Sequence, residues 1–224
     1  GKRDQLLLLH CQPHDVRGYV PIPPGLTFLG INSNVKHSVG GSAYRHTRVS
    51  AFMARAIIAR MYKDLGIRKK ATEDVGGESG GGLEGGYLAN IRPAIYQKYL
   101  RPILPEQIDG MAFLETYGET ADRVTRVEPD ARYTPRAAAD HHVLENARVE
   151  AFVAELRTAL ANSAPDTPAR AFPHAAIIRA GTLMLESHRS YGENAHLGCS
   201  ETDLLVELVM QRGPEKGFYG AKIT

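Results

Sequence analysis

The chain has 224 residues, 27 basic and 25 acidic, for a formal net charge of +2. Hydrophobic residues make up 43% and charged residues 23%, the profile of a soluble globular protein with enough chain for a sizeable core. The near-balanced charge gives no push toward nucleic acid or a membrane surface, no apolar run reaches the roughly 20 residues of a membrane span, and Cys11 and Cys199 make no disulfide framework, so neither partner is expected and a reducing cytoplasm is the expected compartment.

Taken in order, the chain opens on Gln5 to Cys11, a short apolar run of strand length that Pro13 ends. Val16 to Val20 reads as a weak second strand. Pro21, Pro23 and Pro24 enforce a turn before a third strand over Leu26 to Ile31. Such close spacing predicts antiparallel pairing. The polar, Gly-containing stretch from Asn32 to Gly41 reads as a loop. A helix over Ser42 to Tyr62 follows, with Val49, Phe52, Met53, Ala56, Ile57 and Met61 on one face and Gly66 at its end. The next residues are charged and then Gly-rich; lacking the Lys-Ser/Thr of a phosphate loop, they read as a connection. Leu88 to Leu104 reads as helical pieces broken by Pro93 and Pro102, Met111 to Tyr117 as an apolar segment, and Val124 to Val127 as a short strand.

The second long helix is expected over Ala137 to Leu160, with a buried stripe of Val149, Phe152, Val153, Leu156 and Leu160. The third covers Ala175 to Tyr191, where Gly181 allows another element to approach closely and His188 faces the core. Ser200 with Asp203 resembles a capping box, ahead of a helix that turns Leu204, Leu205, Leu208 and Val209 inward. No repeat is visible, and neither end resembles a natural terminus.

Loops at strand ends are where many folds place their chemistry. The loop before the first helix, with the helix start, carries a cation (Lys36), an imidazole (His37), two hydroxyls (Ser38, Ser42) and a phenol (Tyr44). The pattern Cys11-Gln12-Pro13-His14 has metal-like spacing without a partner pair, and His141-His142 lacks a third ligand, so no metal site is expected.

Five segments, in order, resemble one family. Asn32-Ser33-Asn34-Val35-Lys36-His37-Ser38 followed by Ser42-Ala43-Tyr44 is similar to a galactokinase segment. His141, Glu145, Arg148 and Val149 resemble its H-x-x-x-E-x-x-R-V helix. The run Gly181 to Ser190 resembles G-x-L-M-x-x-S-H-x-S, Cys199 to Val206 resembles S-C-x-E-L-D-x-L-V, and Tyr219 to Thr224 resembles the start of the third signature of the GHMP sugar kinases. Shared words such as C-Q-P (Cys11 to Pro13) and H-S-V-G-G (His37 to Gly41) resemble the kinase domain of plant-type L-arabinokinases.

The resemblance implies an α+β fold of GHMP-kinase type: the remainder of an N-terminal domain over residues 1–67, a Gly-rich connection over 68–86, and most of a ferredoxin-like C-terminal domain over 87–224. It implies ATP- and Mg²⁺-dependent phosphorylation of a monosaccharide at its anomeric hydroxyl, with galactose, L-arabinose and a related pyranose all open. In such kinases the sugar hydroxyl attacks the γ-phosphate, and the protein positions and stabilises charge. Lys36 takes the place of a cation that keeps the catalytic aspartate ionised, and its plain alternative is an exposed loop lysine. Tyr44 takes the place of a sugar contact, offering a hydroxyl and a ring face; its alternative is a core tyrosine.

The family's sugar-recognition motif, its ATP-phosphate loop and the aspartate of G-x-M-D-Q are absent from these residues, and Asp4-Gln5 falls after the position where that motif ends. The chain by itself is therefore expected to be inactive. Three readings stay open: part of a kinase whose N-terminal part is supplied separately, a non-catalytic sugar-binding or regulatory module of the same fold, and a fragment without independent biology.

Overall fold

The computed structural model describes residues 1–12, 14–35, 41–65, 83–163 and 174–224. It is a mixed α+β structure, mainly helical, with two two-stranded antiparallel sheets among the described residues. The chain divides into two compact units: Gly1–Lys36, Arg148–Arg189 and Cys199–Thr224 in one, His37–Ala147 and Ser190–Gly198 in the other.

The first unit starts with a hairpin. Strand β1 (Gln5–His10) pairs with β2 (Asp15–Pro21), Leu6 opposite Val20 and Leu7 opposite Tyr19. The register slips between Leu8 and Leu9, so Arg17 is an extra residue in β2 and Gly18 next to it takes a φ of 139°, a bulge that suits glycine. Alternation places Leu6, Leu8 and Val20 on one face, against Val153, Leu156, Ala159, Ala176, Ile177 and Ala180. These belong to the second half of one long helix and to the helix that follows. The expected third strand does not form: residues 26–31 belong to no strand or helix, with Leu29 79% and Ile31 62% exposed. A strand needs a partner strand for its backbone groups, and among the described residues none pairs with this segment.

The second unit is organised on α1 (Ser42–Leu65). Met53, Ile57 and Ile58 are buried against Ile91, Ile95, Tyr96, Leu100, Leu104, Phe113 and Val143. The 88–104 region consists, as expected, of short helical pieces, with prolines in the first turns of Pro93–Ile95 and Arg101–Ile103. Strand β3 (Ile108–Asp109) pairs with β4 (Arg132–Tyr133), and α2 (Gly110–Tyr117) follows β3 directly. The long helix α3 (Pro135–Ala161) gives its first half to this unit. On it, Asp140 accepts from Tyr96 Oη at 2.6 Å and from Arg101 Nε at 2.9 Å and Nη2 at 3.1 Å. Burial and that carboxylate both raise the pKa of Tyr96, so its proton stays on.

Residues 124–127 do not form the expected strand. The Asp122 carboxylate takes the backbone N–H groups of Val124 and Thr125, which removes them from any ladder. The remaining helices are α4 (His174–Glu193) and α5 (Ser200–Met210). Cys199, not Ser200, is the N-cap of α5, and no side chain caps it; Thr202 Oγ1 donates back to the Cys199 carbonyl at 2.9 Å. Leu204 is 53% exposed and Leu208 48%, against the inward face expected for them, while Leu205 and Val209 are half-buried. Val149 likewise lies at the open edge of the α3 stripe that Val153 and Leu156 bury. The connection expected around Gly76 lies largely outside the described residues.

Candidate functional site

The segment ahead of α1 is shaped by its own side chains. Asn32 Oδ1 accepts from the Asn34 amide at 2.9 Å, and Ser33 Oγ from the Val35 amide at 3.3 Å. Asn34 takes a left-handed φ of 56°, a conformation asparagine tolerates better than most residues. Lys36, His37 and Ser38 lie outside the described residues, so the expected catalytic cation has no described geometry.

Tyr44 is in the first turn of α1 and is 37% exposed. One turn on, at the i+4 position, stands Arg48. Its Nε donates to Asp122 Oδ2 at 2.7 Å and its Nη2 to Oδ1 at 2.8 Å, a bidentate clamp. The Asp122 side chain is 1% exposed. Besides Arg48 it accepts from Val124 N at 3.0 Å, Thr125 N at 3.2 Å and Thr125 Oγ1. Arg48 therefore holds Asp122 well below the usual carboxylate range against the cost of burial. Asp122 in turn raises the pKa of Arg48 against the cost of burial. The Arg48 guanidinium also lies over the Phe52 ring at 5.2 Å. The result is a cation locked in place one helical turn from a half-open phenol.

A separate cavity of about 450 Å³ opens beside the same helix and does not include Tyr44; Ser42, Arg45, His46 and Val49 form its α1 wall. Opposite are Arg126, Glu128 and Tyr133. His46 stacks on Tyr133 at 5.0 Å, and burial, with His196 nearby, lowers its pKa, so the imidazole is neutral at pH 7. Arg45 and Glu128 form an open ion pair at 3.8 Å, worth little in water.

The other segments singled out in the sequence meet inside their own units. In the second unit, His141 Nδ1 bonds Ser190 Oγ at 3.0 Å, and Asn194 Nδ2 donates to the same oxygen at 3.1 Å. In the first, Arg148 Nε lies 3.7 Å from Glu186 Oε2. Gly181 lets the backbone of Tyr219 and Gly220 lie against α4. His188 faces Asp203 through Nε2 at 3.4 Å and receives the Ile223 amide on Nδ1 at 3.4 Å. It is thus a hydrogen-bonded packing residue, as its apolar neighbours in the sequence implied.

Sequence reasoning missed Arg48 and Asp122. The i, i+4 spacing from Tyr44 to Arg48 was a usable signal, and so was an aspartate three residues before a threonine. Their meeting, 74 residues apart, was not readable.

This is an α+β protein with a half-open phenol at a helix start, and by sequence it is related to a kinase. That relative is L-arabinokinase of Arabidopsis thaliana, 34% identical over 242 residues, an alignment that takes in 100% of this chain. The chain spans 22% of the relative's length. No family model matches the chain. Among the described residues no helix is long and apolar enough to cross a membrane.

Proposed function

We propose that the protein to which this chain belongs phosphorylates a monosaccharide at its anomeric hydroxyl, using ATP and Mg²⁺ in the cytoplasm, as a GHMP-type sugar kinase. The observation that carries this is the similarity to L-arabinokinase along the entire chain. L-Arabinose is accordingly the first substrate to test, with galactose the second. In this reading residues 1–67 belong to the kinase's N-terminal domain, 68–86 connect, and 87–224 form most of its ferredoxin-like C-terminal domain.

Tyr44 presents its hydroxyl and ring to the sugar, which suits a polyhydroxylated ring with one apolar face. Lys36 supplies the cation beside the attacking hydroxyl's base. ATP–Mg²⁺ and the general base are then supplied by other parts of the parent protein, and the chain alone turns over no sugar.

The test is thermal unfolding of the chain with L-arabinose, galactose or ATP–Mg²⁺. A ligand that binds only the folded state at 100 times its Kd stabilises by about 2.7 kcal/mol, a rise of roughly 5–10 °C at this size. One sugar is expected to raise the midpoint, and Tyr44→Phe is expected to abolish that rise while leaving the unliganded midpoint in place. A midpoint that no sugar moves rules out a sugar site in this chain. ATP-dependent phosphorylation by the isolated chain contradicts the assignment of base and nucleotide to other parts.

A further inference from the structure

We infer that the cavity between α1 and residues 126–133 is a second ligand site, which binds a small organic phosphate through Arg45, Arg126 and Tyr133. It measures about 450 Å³, within the range of small-molecule pockets. Tyr44 does not line it, so the assignment stands apart from the reading of Tyr44 as a sugar contact.

Donors dominate the polar wall. Arg45 and Arg126 each present a guanidinium, which only donates. Neither is clamped as Arg48 is. Arg45 faces Glu128 at 3.8 Å, with side chains 54% and 64% exposed, and Arg126 faces Glu119 at 4.0 Å, with side chains 75% and 51% exposed. Open pairs of that length contribute little in water, so both guanidiniums can turn to an incoming anion at small cost. Tyr133 is the third donor. The residue is 3% exposed, and its oxygen accepts the Glu128 amide N–H at 3.0 Å. Burial raises its pKa, so the phenol keeps its proton, and among the described residues none accepts that proton. A buried O–H without an acceptor is costly, and a ligand oxygen supplies one.

Charge and shape agree with this. His46, stacked on Tyr133, is neutral at pH 7. Two guanidiniums against the one carboxylate of Glu128 leave a positive wall. A phosphate monoester offers three strong acceptor oxygens, one for each of Arg45, Arg126 and Tyr133. The phosphate fills only part of the cavity, and Val49 and Ala131 give an apolar surface to the organic part.

Calorimetric titration of the 224-residue chain at low salt tests this. Galactose 1-phosphate and AMP serve as ligands that carry the phosphate on a sugar or on a nucleoside, with inorganic phosphate and succinate for comparison. At least one of the two organic phosphates is expected to bind. Arg45→Gln and Arg126→Gln, both at exposed positions, are each expected to weaken it about ten-fold. Tyr133→Phe keeps the ring against His46 and is expected to cost about three-fold. Glu128→Gln frees Arg45 and removes the opposing charge, so binding should tighten about three-fold. Tyr44→Phe is expected to change nothing; a loss there as large as in the arginine variants puts the phosphate at Tyr44 and overturns the second site. No binding, or binding that neither arginine variant weakens, overturns it as well. Weaker binding in Glu128→Gln overturns the preference for an anion. Succinate bound as tightly as the organic phosphate overturns the choice of phosphate, and inorganic phosphate bound as tightly overturns the part given to Val49 and Ala131.

Discussion

Gly181→Ala is expected to lower the unfolding midpoint by roughly 6–12 °C and to release the segment from Tyr219 to Ile223 from α4. A Cβ at Gly181 would lie 1.8 Å from the Tyr219 carbonyl oxygen and 2.4 Å from its carbon. Both are backbone atoms, so no rotamer change can relieve the clash. From the other side, a Cβ on Gly220 would meet Gly181 Cα at 2.5 Å. The two glycines form one contact, and either substitution forces the backbones apart. Overpacking of this kind costs about 3 kcal/mol, and at this chain length each kcal/mol moves the midpoint by roughly 2–4 °C.

The control is Gly192→Ala. Gly192 lies in the last turn of the same helix, and a Cβ there would meet nothing within 4 Å. At that position alanine is expected to be neutral or to stabilise by up to about 0.5 kcal/mol, since it restricts the unfolded chain. Hydrogen exchange gives a local check, because the Ile223 amide is held by His188 Nδ1. Its protection should disappear in Gly181→Ala and persist in Gly192→Ala. Equal midpoints for the two variants would show that the close approach does not hold in solution.

Asp122→Asn is the second large effect, about 3 kcal/mol of stability at neutral pH, because it leaves a half-buried guanidinium without its counter-charge. Its pH dependence has a definite sign. Arg48 lowers the folded-state pKa of Asp122 below the unfolded carboxylate value of roughly 3.9. A depressed carboxylate adds stability that is fully present above the unfolded pKa and is lost as pH falls through the folded one. The wild-type advantage over the asparagine variant should therefore be constant from pH 7 to 5 and shrink below about pH 4. Arg48 stays charged throughout, and the other groups facing the carboxylate are neutral donors from Val124 and Thr125. Urea unfolding at a series of pH values measures it; an advantage that grows with acid would contradict the assigned pairing.

Local pattern carried a large part of the fold. Apolar residues at helical spacing located α1, α3 and α4 to within a few residues, because burial of one face is written in the sequence at short range. The hairpin was equally legible, since β1 and β2 are neighbours with a tight connection. The failures share one cause. Residues 26–31 have the composition of a strand, but a strand exists only where a second segment completes its hydrogen bonds. Leu204 and Leu208 have helical spacing, but a stripe is buried only where something covers it. Residues 124–127 lost their strand to one carboxylate that captured two amides.

The candidate site divides the same way. Tyr44 at a helix start, the local turns of Asn32 and Ser33, and the order of the five segments were all present in the sequence. Gly181 was marked there as a place of close approach, although what approaches, the backbone of Tyr219 and Gly220, was not. By itself the sequence determined the helices, the hairpin, the kinase relationship and the residue types offered to a ligand, because these depend on spacing along the chain. Only the tertiary structure decided that Arg48 is locked by Asp122, that His141 meets Ser190, and that His188 stands between Asp203 and Ile223. Those pairings join residues from 15 to 74 positions apart, and a charge or an imidazole gains a partner only when folding has brought the partner there and excluded the water that would otherwise take its place.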